Sequence, residues 1–190
     1  MKICHLIFSF NTGGAETMLM DIVNEQVKTE QVYLGIINDS VDQRILSQID
    51  SRVHIYRFNR IPGSRNPIPL IKLNFWLLSQ HFDVIHTHNL GILPLLFPRV
   101  SRVRFATVHA LHVPLVHARR ADCLFAISEA VRDDVLERLP SANVKVILNG
   151  IKVDTIQQRQ VQHYTGDRLF RIVQVARLDA DKKGQDILIK

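Results

Sequence analysis

The chain has 190 residues, of which 46% are hydrophobic, so it can bury one full core and is not a charge-dominated disordered chain. Its formal net charge is +6, and much of the excess lies in three arginine-rich stretches, at residues 52–65, 99–104 and 119–120. These stretches match no nucleic-acid-binding motif, so they predict an anionic lipid or sugar-phosphate partner and no nucleic acid. A merely solvated surface is the alternative.

The amino-terminal segment and the cysteines indicate where the protein resides. The opening apolar run is interrupted at Asn11, Gly13 and Gly14, which makes it too short for an export signal or a membrane span. Cys4 and Cys123 lie in apolar segments without metal-ligand spacing around them. We therefore expect a cytoplasmic protein with two buried thiols and neither a disulfide nor a zinc site.

Short apolar segments rich in β-branched residues alternate along the chain with longer segments of helical period. This alternation predicts α/β architecture, a Rossmann-like parallel sheet flanked by helices. Ser128 predicts the start of a helix that Pro140 ends. Pro67 and Pro69 predict the start of another, which is expected to carry residues 75–78 (Phe75, Trp76, Leu77 and Leu78) into the core. The predicted strands are residues 3–8, 32–37, 53–58, 84–87, 105–108, 123–127 and 144–147.

The pattern changes after residue 150, where Asn149 and Gly150 form a strong turn signal and residues 155–167 are polar and rich in glutamine. We predict a first domain over residues 1–150 and a linker over 151–168. Residues 169–190 are expected to hold the first strand, Phe170 to Ala176, and the helix start of a second, truncated domain. That remainder is too short to form a domain alone.

Two segments predict contacts with phosphate. Gly13 and Gly14 stand between the first strand and its helix, where bare backbone N–H groups and the positive helix end can approach an anion. Arg177 ends the predicted strand of the second domain, and Lys183 follows beside Gly184. Two cations at the carboxyl edge of a parallel sheet suit a diphosphate. A tight turn and a pair of solvated cations are the respective structural alternatives.

Histidines gather at the ends of two predicted strands. His109 directly follows the strand over residues 105–108, and His86 and His88 share one face of the preceding strand because they are two residues apart. His112 and His117 follow in the next loop. We predict no metal site, because no carboxylate lies among these histidines at ligand spacing and no H-E-x-x-H motif occurs.

Taken together, the segments resemble, in order and spacing, the GT4-type (group 1) glycosyltransferases, which have the two-domain GT-B fold. The matching residues are Gly13-Gly14-Ala15-Glu16, Phe82 to His88, Thr107-Val108-His109, Arg120 to Arg132, Val146 to Ile151, Val175-Ala176-Arg177-Leu178 and Lys183-Gly184. The sequence departs from the family pattern at Ala176, where glycine is usual, and at Leu148, where proline is common.

The resemblance implies a retaining transfer of sugar from a nucleotide-sugar to a glycan or lipid-linked acceptor in cell-surface polysaccharide or glycolipid synthesis. It implies no metal and no other cofactor. His109 matches the histidine near the transferred sugar and is the expected catalytic residue. Gly13, Gly14, Arg177 and Lys183 match the donor-binding positions. The arginine-rich stretches are expected to place the protein at the inner face of an anionic membrane.

Two further expectations concern activity. The family's paired glutamates, which hold the donor, would lie beyond Lys190, so we expect the 190-residue chain to be inactive or nearly so. The alternatives are a non-catalytic module that binds a sugar phosphate or nucleotide, and a nucleotide-sugar epimerase. Carboxylates in the first-domain cleft would favour the epimerase, and none is evident in the sequence.

Overall fold

The computed structural model describes residues 1–150, 172–176 and 184–189. The chain divides into two compact units, Met1–Ile151 and Lys152–Lys190. The first contains a seven-stranded parallel sheet, which confirms the predicted α/β fold class. Its strands are β1 (Lys2–Ile7), β2 (Gln31–Asn38), β3 (His54–Arg60), β4 (Phe82–Thr87), β5 (Ser101–Val108), β6 (Cys123–Ala126) and β7 (Val144–Val146). They lie in the order β3-β2-β1-β4-β5-β6-β7.

Helices connect the strands in the manner of repeated β-α units. The helices are α1 (Gly14–Gln26), α2 (Gln43–Leu46), α3 (Ile68–Gln80), α4 (Glu129–Arg138) and α5 (Gln185–Leu188), with 3-10 segments at Leu90–Leu95 and Ala118–Arg120. Ser128 caps α4 as predicted, since its hydroxyl accepts a hydrogen bond from the Val131 N–H at 3.3 Å. Pro67 stands at the start of α3. In the described part of the chain, no helix has the length and apolarity needed to cross a bilayer.

Three apolar clusters form the core of the first unit. One lies under α3 and includes Leu73 and Leu77, the second lies under α1 and includes Leu19, and the third lies under α4 and includes Val135. Successive strand residues point to opposite faces of a sheet, so a strand with helices on both sides must be apolar throughout. Strand β1 is buried from Ile3 to Ile7 and is apolar there except at His5. Cys4 and Cys123 are buried free thiols, as predicted.

The structure corrects one prediction about α3. Leu77 is fully buried and Trp76 packs against the core, but Phe75 is 64% exposed and Leu78 is also exposed. Four consecutive helical residues span a full turn, so they cannot all face the core. The helix is apolar around most of its circumference, and only one side of it contacts the sheet.

The second unit is described only in part. Residues 172–176, which belong to the predicted strand from Phe170 to Ala176, carry no strand assignment and are exposed. Helix α5 begins at Gln185, as predicted. The predicted linker over residues 151–168 lies outside the described residues, and the division into domains at residue 150 stays a prediction.

Candidate functional site

The order of strands creates a crevice at one edge of the sheet. The chain runs outward from β1 through β2 to β3, and then returns to place β4 on the other side of β1. At such a switch point the connections leave in opposite directions, so the carboxyl ends of the two strands are uncovered and ligands bind there. The segment after β4 is tied to the end of β1: the His88 N–H donates to the Leu6 carbonyl at 2.9 Å and the Phe8 N–H donates to Asn89 Oδ1 at 3.2 Å.

A cavity of about 410 Å³ lies at this edge, next to the ends of β4 and β5. Its walls are mostly apolar and carry a few imidazole groups, which is the usual composition of a small-molecule site. The cavity is lined by His88, Asn89, Leu90, Gly91, Thr107, Val108, His109, Val113, Pro114, Val116 and His117.

His109, the predicted catalytic residue, lies directly after β5 and lines this cavity. Burial lowers its pKa from the ordinary value of 6.5, so the ring is neutral at neutral pH. Its buried Nε2 atom has no hydrogen-bond partner among the described residues. A buried polar atom without a partner is uncommon in a folded protein, and here it belongs to a residue that lines a cavity.

A line of hydrogen bonds behind the cavity fixes the ring of His88. Gln26 Oε1 lies 2.7 Å from His5 Nε2, and His5 Nδ1 lies 3.1 Å from His88 Nε2. An amide oxygen can only accept, so the neutral His5 ring carries its proton on Nε2 and its Nδ1 accepts from the His88 Nε2–H. The remaining His88 atom, Nδ1, is therefore an acceptor, and it has no partner among the described residues.

Sheet register explains why these rings meet. His5 of β1 lies directly opposite His86 of β4, so both side chains point to the same face, and His88 follows two residues later. The ring centroids of His86 and His88 are 4.4 Å apart, and that of His5 is 5.2 Å from His86, which confirms the predicted shared face. His5 and Gln26 were not among the predicted site residues. The sequence feature that could have indicated His5 is its position as a histidine within an otherwise apolar strand.

The cluster formed by His5, His86 and His88 has the composition of a cation site. One ring nitrogen from each of His5, His86 and His88 lies within 4.8 Å of the others. The His86 Nε2 atom also lies 2.7 Å from Thr107 Oγ1, so hydrogen bonds already occupy several of these nitrogens. Burial lowers the pKa of His5 to about 4 and holds the pKa values of His86 and His88 well below 6.5. His112, by contrast, pairs with Asp134 at 3.0 Å.

The paired glycines lie at the start of α1, as predicted. Gly13 is extended and precedes the helix without a side-chain cap, which leaves the first N–H groups of the helix free of side-chain partners. A Cβ atom added at Gly13 would meet the Glu16 carboxylate, whereas at Gly14 the space within 4 Å is open. The loop can therefore admit an approaching group at Gly14, while the negative charge of Glu16 lies beside Gly13.

The remaining predicted positions divide into two groups. Arg177 and Lys183 lie outside the described residues. Several arginines of the basic stretches are engaged within the protein: Arg52 pairs with Asp50 at 2.8 Å, Arg102 with Asp83 at 3.6 Å, and Arg60 donates to the Ser64 carbonyl at 2.8 Å.

The family model described as Glycosyltransferase Family 4 matches residues 12–155, which is more than half of the chain and includes the glycine loop, His86, His88 and His109. The chain belongs to glycosyltransferase family 4. This confirms the family resemblance drawn from the sequence motifs. No curated protein sequence matches the chain.

Solved structures of glycosyltransferases share the fold. HepE (Alr3699) of Anabaena, crystallised with UDP and glucose, is 21% identical over 81% of this chain and 46% of its own, with a TM-score of 0.59. The lipopolysaccharide outer core galactosyltransferase WaaB is 17% identical over 82% of this chain and 48% of its own, with a TM-score of 0.59.

MurG of Acinetobacter baumannii is 15% identical over 80% of this chain and 46% of its own, with a TM-score of 0.54. The family 4 chain therefore spans about half the length of these solved proteins. At these identities the likeness establishes the fold, and it supports the predicted GT-B amino-terminal architecture.

Proposed function

We propose that the protein transfers a sugar, with retention of configuration, from a nucleotide-sugar to a glycan or lipid-linked acceptor in cell-surface polysaccharide or glycolipid synthesis. The observation that carries the proposal is the cavity at the ends of β4 and β5 of a family 4 sheet, lined by His88 and His109, each of which has a buried ring nitrogen without a partner among the described residues. HepE has been crystallised with UDP-glucose, which supports a nucleotide-sugar as the donor class.

Each site residue has a proposed role. Neutral His109 offers its ring to a hydroxyl of the transferred sugar or to the departing oxygen. The His88 Nδ1 atom accepts from a sugar hydroxyl, because it cannot donate while the His88 Nε2–H serves His5. The backbone at Gly13 and Gly14 approaches the donor phosphates or the acceptor.

The donor diphosphate is proposed to bind Arg177 and Lys183, which would stabilise the charge that develops on the leaving nucleotide. We propose that neither a metal nor another cofactor is required. A chelator should therefore leave the rate of sugar transfer unchanged in a longer, active product of the same reading frame. The protein is proposed to act in the cytoplasm, at the inner face of an anionic membrane.

Nucleotide-sugar binding tests the proposal directly. Thermal unfolding of the chain in the presence of UDP-, GDP- or ADP-sugars should show a higher midpoint with one donor class, because a ligand that binds the folded state stabilises it. Gly14→Ala is the informative variant, since the added methyl group meets nothing in the protein and any lost binding reports on the ligand. A flat response to all three donors would remove support for donor binding by this chain.

Turnover separates the proposal from a non-catalytic sugar-phosphate module. We expect the 190-residue chain to release little or no nucleotide. A longer product of the same reading frame, if one exists, should transfer sugar and lose that activity in His109→Ala. Donor binding without turnover in such a product would favour the binding module.

A further inference from the structure

The outward side of α3 carries an apolar stripe that no described residue covers. It consists of Ile68, Ile71, Phe75 and Leu78, which follow one another at helical spacing and are all exposed. Phe75 is 64% exposed and Ile68 is 54% exposed. A helix that is apolar on every side is normally buried on every side, and a contiguous exposed apolar patch marks a surface that contacts something else.

A neighbouring loop extends this surface. The Asn74 side chain accepts a hydrogen bond from the Phe97 N–H at 2.6 Å and donates to the Leu95 carbonyl at 2.8 Å, which ties residues 95–97 to α3. Phe97 is itself exposed. The docking face defined here therefore comprises the α3 stripe and Phe97.

The charge around the docking face is positive. Lys72 is four residues after Ile68 and three before Phe75, so it lies on the same side of the helix. Between Ser51 and Ala121 the only carboxylate side chain is Asp83, against ten basic residues: Arg52, Arg57, Arg60, Arg65, Lys72, Arg99, Arg102, Arg104, Arg119 and Arg120.

Three of these cations flank the docking face and are available to a partner. Arg65 precedes α3, Lys72 lies within it, and Arg99 follows Phe97. All three are exposed, and among the described residues none of them forms an ion pair. Asp83 already contacts Arg102 and the backbone N–H of Lys2, so it does not neutralise them.

We infer that the docking face of α3 lies on an anionic lipid membrane, with the apolar stripe at the level of the acyl chains and Arg65, Lys72 and Arg99 at the lipid phosphates. Apolar side chains on one helix face, flanked by unpaired cations, match the interface between acyl chains and anionic headgroups. A second copy of the chain would bring like charges together and is disfavoured. The inference extends the proposed membrane location by assigning it to this face, and it does not depend on sugar transfer.

Vesicle binding tests the inference without any nucleotide-sugar, so it can fail independently of the proposed function. The chain is sedimented with vesicles of phosphatidylcholine alone or of equimolar phosphatidylcholine and phosphatidylglycerol. We expect binding to the anionic vesicles only. Phe75→Ser should weaken it about tenfold, because a buried aromatic ring returns to water. Lys72→Glu should weaken it about fivefold or more.

Matched controls show whether the face itself is responsible. Leu148→Ser removes an apolar side chain that is 71% exposed outside the docking face, and Lys145→Glu makes the same charge change as Lys72→Glu at an exposed lysine of β7. Both should bind vesicles like the unsubstituted chain, and circular dichroism should show all four variants folded. Absent vesicle binding, or equal losses in the controls, would overturn the inference. The inference would also be overturned if the chain bound no vesicles and instead self-associated, and if Phe75→Ser abolished that self-association.

Discussion

The hydrogen bonds behind His88 decide which of its ring nitrogens carries the proton. We predict that at neutral pH the ring is the Nε2–H tautomer, since His5 Nδ1 is held as an acceptor by Gln26. Proton–nitrogen correlation NMR of the histidine rings reads the tautomer directly. In Gln26→Leu the His5 ring is released, and the His88 tautomer should become mixed. A proton on His88 Nδ1 in the unsubstituted chain would contradict the assignment.

The buried histidines also link folding to pH. Burial lowers the pKa of His5 to about 4, whereas the unfolded chain titrates near 6.5, so the unfolded state binds more protons between these values. The free energy of unfolding should be fully retained above pH 6.5 and should fall as the pH drops towards 4, by about 3 kcal/mol from His5 alone.

His86 and His88 act in the same direction. Urea unfolding across this pH range measures the effect, and His5→Gln should flatten the profile. A stability that stays constant from neutral pH down to 4.5 would be inconsistent with neutral buried rings.

At the scale of single elements, the stability of helix α4 depends on Ser128, which caps its amino-terminal end. Ser128→Ala removes the hydroxyl that accepts from the Val131 N–H and should lower the free energy of unfolding by about 1 kcal/mol. Ser128→Asp keeps an acceptor at the same place and should restore most of this loss. Urea unfolding of the three proteins makes the comparison. Equal stability of the alanine and serine forms would mean that the cap does not stabilise the helix.

The elements of the first unit were largely predictable, because each strand is a short apolar run and each of the seven strands predicted there overlaps an observed strand. Which side of α3 packs against the sheet could not be predicted. Its residues from Leu70 to Leu78 are mainly apolar, so hydrophobic periodicity could not separate the buried Leu77 from the exposed Phe75. Only packing against the sheet determines which side of such a helix is covered.

For the molecule as a whole, stability is expected to reside in the first unit. The three apolar clusters lie entirely within Met1–Ile151, and the described apolar residues of the second unit, among them Val173 and Val175, are exposed. A chain ending at Ile151 should therefore unfold cooperatively with an unchanged thermal midpoint, as measured by calorimetry. A large fall in the midpoint would show that residues 152–190 contribute to the fold.

The site illustrates what sheet order adds to a sequence. His109 and the pair of His86 and His88 were visible as strand-end residues, and the glycine loop was visible as a βα turn. The role of His5 could not be recognised, because nothing near it in the chain indicates that β1 pairs with β4, about 80 residues later. The position of His5 beside His86 and His88 depends on that pairing.

The same strand order has a consequence for synthesis. β1 leaves the ribosome well before one of its two neighbours, β4, which ends at Thr87. Until β4 emerges, one edge of β1 lacks the strand that covers it in the folded sheet. At ordinary translation rates of roughly 5–20 residues per second, that edge stays open for several seconds. The nascent chain therefore carries an apolar, unpaired strand edge, to which chaperones or a neighbouring nascent chain could bind before β4 emerges.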